Sequence, residues 1–408
     1  MPTRPALLTL AGMLLLAAAA AAPGIAHAFE VVLNAQGEYL DAYLVNGKPF
    51  PPRVAFIDPD PPDPASLTTP PRVGRHVNGK LCFFPRRAHR PGQFVLADDA
   101  YREACLDSHP PQARCSVTDP KSPFFVGRDP DGWAIFERSG QWTGEHIHTP
   151  WDFSGPQPQG NKDPQGCVFD KKGRMFGNDV GSENGVSDGS LIVFFPGKDR
   201  RYTTFCFLDK GLADPGMPAM DDKGNLYVPE PGAAKLTKFS PPFPSNAADC
   251  DNPEHLVTTP PVKSRFIAPG AGGLNIPVSI VPVPHTKHWY VAGPIFPPII
   301  NEYDADGAFV RNIVPANVPK NPLGMDVGHD GTLYYAELNL DPVTFNTRCG
   351  SVSMVRFDRH GQPQPPVTLG KDLRFPDGVT VVRSSRFAVN FTQLPPSPDL
   401  TPAECGGE

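Results

Sequence analysis

The stretch DPQGCVFDKKGRMF (163–176) returns as DPGMPAMDDKGNLY (214–227) and again as NPLGMDVGHDGTLY (321–334). In every copy a glycine follows the proline by nine residues, as in Pro164 and Gly173. We interpret each copy as a strand, a tight turn and a returning strand. The glycine supplies the positive φ of the turn, and the β-branched and aromatic residues suit a sheet.

Two looser copies begin at Ile276 and Phe375, and a second hairpin often follows the first, as in 299–313 and 351–367. Four strands in roughly 50 residues form one blade of a β-propeller. A divergent blade fits residues 81–149. The sequence therefore predicts an all-β, six-bladed propeller of four-stranded blades. Seven blades are the alternative, because Pro70 and Gly79 also have the nine-residue spacing.

The last copy is incomplete, since a proline-rich tail follows RFAVNF (386–391). The N-terminal run 29–47 offers two spare strands. We predict that these strands complete the last blade and close the ring.

The chain divides into three segments. Residues 1–28 combine Arg4, an apolar run and the Ala-His-Ala ending of a signal peptide. Residues 29–395 form the propeller, and residues 396–408 form a proline-rich tail. The mature protein is expected to be secreted or periplasmic, with no membrane span after cleavage.

Charge and cysteine content narrow the classes of partner. Loss of Arg4 leaves 36 basic and 43 acidic residues, which argues against a nucleic-acid surface. The eight cysteines suggest disulfides, with Cys105 and Cys115 as the expected local pair and buried thiols as the alternative. The sequence does not indicate an oligomeric state.

Segments 224–240 and 321–338 resemble NHL repeats, and more loosely the SMP-30/gluconolactonase and strictosidine-synthase-like propellers. The resemblance covers about residues 160–392. It implies a propeller, and the SMP-30 type further implies one bound divalent cation that polarises a lactone or ester carbonyl. The Phe-Pro-Asp-Gly segment around Asp377 is similar to a ligand-bearing segment of that family. Leu323 and Val278 depart from it, because polar ligands are usual there.

The hairpin geometry predicts a site at one end of the channel. Residues just after each proline, and residues five or six after each turn glycine, should share that end. The first set contains Gln165, Gly216, Val278, Leu323 and Asp377. The second set contains Asn178, Asp179, Glu230, Gly293, Glu337 and Asn390, with Asp98 as the equivalent in the divergent blade.

This acidic, amide-rich mouth supports two hypotheses. As a metal-dependent lactone or ester hydrolase, the protein would hold a cation, with calcium preferred, on Asp377, Asp179 and Asn178. Glu230 or Glu337 would then be the catalytic base.

The favoured hypothesis is a binding propeller for a small molecule or an extracytoplasmic protein, with Gln165, Asn390 and Asp98 as ligand-binding residues. Acids after the second strand can also bind turn amides in a purely structural role. Two further candidate metal sites are weaker: the same-face pair His146 and His148, and the loop 178–189.

Overall fold

The structure is a computed structural model. It describes residues 30–36, 39–45, 53–57, 77–85, 90, 92–98, 132–137, 142–148, 164–181, 189–199, 201–340, 349–373, 375–383 and 405. Both predicted segment boundaries, the Cys105–Cys115 pair, the strand 386–391 and Asn390 lie outside these residues. So does most of the loop 178–189.

The described chain forms 24 strands in six four-stranded sheets. Five sheets are each made from four consecutive strands, and we number these blades in chain order. The first blade contains β4 (Val77–Phe83), β5 (Phe94–Asp98), β6 (Gly132–Phe136) and β7 (Trp142–His148). The second contains β8 (Pro164–Phe169), β9 (Met175–Asp179), β10 (Gly189–Phe195) and β11 (Thr204–Leu212). The third contains β12 (Ala219–Met220), β13 (Leu226–Glu230), β14 (Lys235–Ser240) and β15 (Val262–Ile267).

The fourth blade contains β16 (Ser279–Pro282), β17 (Trp289–Gly293), β18 (Ile299–Tyr303) and β19 (Phe309–Val314). The fifth contains β20 (Pro322–Val327), β21 (Leu333–Glu337), β22 (Gly350–Val355) and β23 (Val367–Leu373). Short 3₁₀ turns occupy Pro231–Ala233, Ala247–Cys250 and Ala271–Gly273. The prediction of an all-β propeller with four-stranded blades is confirmed.

A composite sheet joins the two ends of the described chain. Its order is β24 (Val379–Arg383), β1 (Glu30–Gln36), β2 (Tyr39–Val45) and β3 (Arg53–Ile57). The N-terminal region therefore gives three strands instead of the two predicted. β1 pairs directly with β24, so an N-terminal strand occupies the second position of this sheet, in line with the prediction that N-terminal strands complete it.

The expectation of a seventh blade depended on Pro70 and Gly79, and Gly79 is not a hairpin glycine. It lies inside β4 with φ 71°. The other predicted turn glycines behave as expected, since Gly173, Gly224 and Gly331 have φ between 82° and 89°.

The hydrophobic core lies between the faces of neighbouring sheets. One cluster joins the first and second blades, where Trp133 of β6 packs edge-on against Phe194 of β10 with ring centroids 5.4 Å apart. Equivalent clusters follow between each later pair of blades, and another joins the fifth blade to the composite sheet. The alternating apolar residues of each strand thus bury both faces of a blade.

The first strands surround a narrow axis. They contact one another in the order β4, β8, β12, β16, β20 and β24, and β24 in turn contacts β4. A side chain at Gly79 would overlap the carbonyl of Gln165 in the next blade, and one at Gly324 would reach the Asp377 carbonyl at 2.6 Å. Glycine allows these backbones to approach so closely.

Three disulfides connect described cysteines: Cys82–Cys167, Cys206–Cys250 and Cys349–Cys405. The first joins β4 to β8, and so it links the innermost strands of two blades. Disulfides, rather than buried thiols, are confirmed for these six residues.

Candidate functional site

The strand register brings the two predicted sets of residues to one end of the blades. Pro164 pairs with Asp179 at the end of β9, and Pro322 pairs with Glu337 at the end of β21. We call this end the proline-side mouth. Asp98, Asp179, Glu230 and Glu337 are each the last residue of a second strand, as the nine-residue spacing predicts.

Glu337, a predicted catalytic base, is enclosed by donors from its own blade. Its Oε1 accepts from the Lys320 backbone N–H at 2.8 Å. Its Oε2 accepts from the hydroxyls of Ser351 at 2.7 Å and Ser353 at 2.8 Å. Burial first, and then the nearby Glu337 carboxylate, raise the pKa of Tyr335 well above its usual value. Glu337 is only 6% exposed, so its carboxylate is almost completely enclosed by protein.

Glu230, the other predicted base, has a similar arrangement. The Thr237 hydroxyl donates to its Oε1, and the Ala213 backbone N–H lies 3.4 Å from its Oε2. Lys235 Nζ is 3.5 Å from the same oxygen. Glu230 is 1% exposed, so its contacts fasten the strand end to the loop before β12.

The acids of the first two blades are also engaged. Asp98 lies 2.8 Å from His146 Nε2 of β7, so that histidine meets a carboxylate in its own blade. Asp179 Oδ1 accepts a hydrogen bond from the Gly181 backbone N–H at 2.9 Å, which holds the turn that follows β9. Both carboxylates are almost fully buried.

Asp377 and Asn178 connect neighbouring blades. The Gly79 backbone N–H donates to Asp377 Oδ2, which joins the composite sheet to the first blade. Asn178 Nδ2 donates to the Pro215 carbonyl, which joins the second blade to the third. Asn178 Oδ1 is buried and has no hydrogen-bond donor among the described residues. It is thus a candidate cation or water ligand.

The accessible groups at this mouth are different from the predicted acids. Gln165, Val278 and Leu323 are partly exposed. Phe296 is 63% exposed in the loop that leaves the end of β17, and the Asn321 amide holds this loop by donating to the Pro294 carbonyl at 2.8 Å. Val278 also packs against the core between the fourth and fifth blades, so the accessible groups are the exposed Phe296 and the partly exposed Gln165 and Leu323, where the sequence indicated an acidic surface.

The carboxylates at this mouth do not form an evident metal cluster. Among the described residues, the only group of three His, Cys, Asp or Glu ligands within one coordination sphere is Cys349, Asp372 and Cys405. Two of its members share a disulfide, so this group does not offer thiolates. A cation at the mouth would therefore depend on Asn178 together with the carboxylates of Asp179 and Asp377.

The sequence did not predict one ion pair at the axis, nor the exposed Phe296 at the mouth. Lys80 of β4 forms an ion pair with Asp326 of β20 at 2.9 Å. Asp326 also accepts from the Val381 backbone N–H at 2.9 Å. Nothing in the local sequence indicates this contact, because its three participants come from three different sheets. Phe296 was missed because it lies in a loop outside the repeated unit.

Comparisons with known proteins do not assign this chain to a family. No protein-family model matches this chain, and no curated protein matches it. One similar solved structure is a protein of unknown function from Bacteroides caccae, with a TM-score of 0.45 and 11% sequence identity. That alignment covers 87% of this chain and 99% of the other. The resemblance to NHL and SMP-30 propellers remains a prediction.

Proposed function

We propose that this protein is an extracytoplasmic binding propeller that holds a small amphipathic molecule at the proline-side mouth. The observation that carries this proposal is the division of groups there. Glu230 and Glu337 are buried and accept hydrogen bonds from their own chain, whereas Phe296 is exposed and Gln165 and Leu323 are partly exposed. Apolar surface with a few polar groups suits ligand binding.

The test uses a matched pair of variants. Phe296→Ala removes an apolar group at the mouth, while Val262→Ala changes an equally exposed residue (63%) on the outer strand β15. Amphipathic small molecules that raise the melting temperature of the mature protein should still do so in Val262→Ala, and should lose most of the effect in Phe296→Ala. Ligands that stabilise both variants equally would place the site elsewhere. Co-purification of a secreted protein, lost in Phe296→Ala alone, would assign the mouth to a protein partner.

The second candidate is a metal-dependent lactone or ester hydrolase of SMP-30 type. It is favoured by the buried Asn178 Oδ1, which has no donor among the described residues. Asn178, Asp179 and Asp377 would hold a divalent cation, with calcium preferred, and the cation would supply Lewis-acid chemistry. Glu230 or Glu337 would serve as base, and Asp98 and Asn390 would contact the ligand.

Elemental analysis separates the two candidates. The hydrolase predicts a stoichiometric cation in the purified protein that Asp377→Asn removes, because one of its carboxylate ligands is lost. Metal-free protein that still binds an amphipathic ligand would support the binding propeller. Turnover of a lactone panel that depends on added calcium would reject it.

We further propose that the composite sheet is the sixth blade and closes the ring. Thr380 of β24 supports this by accepting a hydrogen bond from the Leu81 backbone N–H at 2.9 Å. Gly324 likewise donates to the Asp377 carbonyl at 2.9 Å. The composite sheet thus has hydrogen-bonded contacts with both the first and the fifth blade.

We propose that the mature chain begins at Phe29 and is exported. The three disulfides support an oxidising compartment. The described residues contain no helix that is long and apolar enough to cross a membrane. N-terminal sequencing of secreted protein should yield Phe29, and a Met1 start in the exported fraction would contradict cleavage.

A further inference from the structure

A cleft of about 610 Å³ lies at the end of the blades opposite to the proline-side mouth. We call it the turn-side cleft. It is bounded by the first hairpin turns of the second and third blades, at 170–173 and 221–224, and by the segment 241–245 that follows β14. Its volume falls in the range of small-molecule pockets.

Two of the three acids in the walls of this cleft, Asp170 and Asp221, bind other side chains of their own blade. Asp170 pairs with the Arg174 guanidinium at 2.6 Å. Asp221 accepts from the Asn225 side chain at 2.7 Å and from the Tyr227 hydroxyl at 3.2 Å. Burial first, and then the Asp221 charge, raise the pKa of Tyr227 far above its usual value, so that hydroxyl remains a donor.

Three lysines line the cleft and have no carboxylate within 4.0 Å among the described residues: Lys171, Lys172 and Lys223. All three are exposed. Lys171 Nζ donates to the backbone carbonyl of Asp222 at 2.9 Å, which joins the two turns. Together with Arg174 these lysines give four positive charges against the three acids Asp170, Asp221 and Asp222, so the cleft lining carries a net charge of +1 on a chain of net charge −6.

Part of the cleft lining is apolar. Val168 and Met220 contribute to it and also pack against the core between the second and third blades, and Phe243 covers the buried Arg174, whose guanidinium carbon lies 6.0 Å from the ring centroid. Arg174 also donates to the Phe243 carbonyl at 3.1 Å, and so it fixes the segment 241–245 in place. The cleft is therefore held by internal contacts before any ligand arrives.

The basic rim is a local departure from the repeat. The turns of the second and third blades read DKKG and DDKG, whereas the equivalent turn of the fifth blade reads GHDG. In the fourth blade the turn reads PHTK, with a single lysine. Turn formation requires only the glycine and an acceptor side chain, so the fold does not demand these lysines.

We propose that the turn-side cleft binds an amphipathic anion, with a sulfonate, sulfate, phosphate or carboxylate head and an apolar, aromatic-sized body. The head contacts the ammonium groups of Lys172 and Lys223, and Lys171 turns from the Asp222 carbonyl toward it. The body packs on Val168 and Met220. Charged heads give orientation and apolar contact gives affinity in such sites.

The test measures binding of 2-naphthalenesulfonate to the full mature protein by calorimetry at low salt. Its neutral analogue 2-naphthol and inorganic sulfate each carry only one half of the proposed chemistry, so both should bind at least tenfold more weakly. The double variant Lys172→Glu/Lys223→Glu should weaken 2-naphthalenesulfonate about tenfold, because two screened attractions become repulsions. Lys287→Glu makes the same type of change on a fourth-blade turn and serves as the control.

Equal affinity of the double variant and the original protein would overturn the proposal. So would an equal loss in Lys287→Glu, which would indicate an effect of net charge, and so would the absence of saturable binding. Lys172→Ala/Lys223→Ala provides a milder variant if the reversal affects folding, and unchanged melting curves verify that both are folded. Phe296→Ala should leave this binding intact, which separates the cleft from the proline-side mouth.

Discussion

Glu337 is a buried carboxylate that links several parts of the chain by hydrogen bonds. It accepts three hydrogen bonds, from the Lys320 backbone N–H and from the hydroxyls of Ser351 and Ser353. Glu337→Gln replaces one acceptor oxygen with a donor, so at least one of these groups loses its partner. We expect the free energy of unfolding to fall by about 2 kcal/mol, measured by denaturant titration. Asp222→Asn, at an exposed acid, should change nothing, and equal stability of the two variants would contradict the structural role.

Two glycines with positive φ, one in a turn and one at the axis, give a second prediction at this scale. Gly331 has a positive φ and open space around it, so Gly331→Ala incurs only backbone strain, about 1–2 kcal/mol. Gly79 has a positive φ and also faces the Gln165 carbonyl at overlap distance. Gly79→Ala should therefore lose clearly more stability, about 3 kcal/mol or more, in the same denaturant assay. Similar losses at both positions would contradict the close packing of the first strands.

Asp304 is a turn residue whose hydrogen bonds should make the stability of the protein depend on pH. The backbone N–H groups of Ala308 and Asp306 hold the pKa of Asp304 below its usual value. A lowered folded-state pKa gives stability that is present above the unfolded pKa and is lost as the pH falls through the folded one. Asp304→Asn should therefore melt lower than the original protein at pH 7, and this difference should shrink below about pH 4. A constant difference between pH 3 and pH 7 would contradict this account.

Other hairpins have an aspartate at the position of Asp304. This aspartate helps to form the tight turn, which the sequence analysis attributed to glycine alone. Asp170, Asp221 and Asp358 each accept from the backbone N–H groups two and four residues later. The Asp-x-x-Gly pattern was visible in the sequence. Its meaning was not, because the choice between a turn acceptor and a solvent-facing charge depends on the backbone path.

At the scale of elements, the local signals predicted the hairpins well and their partners poorly. The nine-residue spacing correctly predicted that β8 and β9, or β20 and β21, form antiparallel pairs. The incomplete last copy of the repeat correctly predicted that N-terminal strands would join the last sheet, but no local signal indicated that β1 itself would lie directly beside β24. The positions of the mouth acids were likewise predictable, but their donors come from third strands and loops that lie outside the repeated hairpin.

The Cys82–Cys167 disulfide connects two elements, because it links the first strands of two blades across 85 residues of sequence. Cross-linking so long a loop restricts the unfolded chain strongly. Replacing both cysteines with alanine should lower the free energy of unfolding by about 4 kcal/mol on the chain-entropy estimate. Denaturant unfolding of the variant and of the original protein under oxidising conditions measures this difference. An unchanged midpoint would show that the two strands are held by their packing alone.

At the scale of the whole molecule, the two ends of the propeller offer different chemistry. The proline-side mouth presents Gln165, Leu323 and Phe296 above buried acids, and the turn-side cleft presents lysines above an apolar floor. A repeat predicts equivalent positions but not what occupies them. The sequence therefore predicted the position of the mouth. It did not predict the cleft, because the cleft is formed by the turns of two neighbouring blades.

Ring closure is the property that belongs to the molecule as a whole. Deleting residues 29–47 removes β1 and β2 completely, which exposes β24 and the apolar face that Val32 and Tyr43 cover on the fifth blade. Because several buried side chains lose their contacts at once, we expect the melting temperature to fall by about 10 °C or more. A peptide of residues 29–57 added in trans should recover part of this loss by pairing with β24.

A point variant separates closure from mere loss of chain. Leu33 is fully buried in β1, while Val262 is 63% exposed on the outer strand β15. Leu33→Asp places an unpaired charge at the junction and should lower the melting temperature nearly as much as the deletion, whereas Val262→Asp should leave it unchanged. If the deleted protein melts like the original, the composite sheet does not close the ring. The six first strands would then hold their circular order through the glycine contacts at the axis alone.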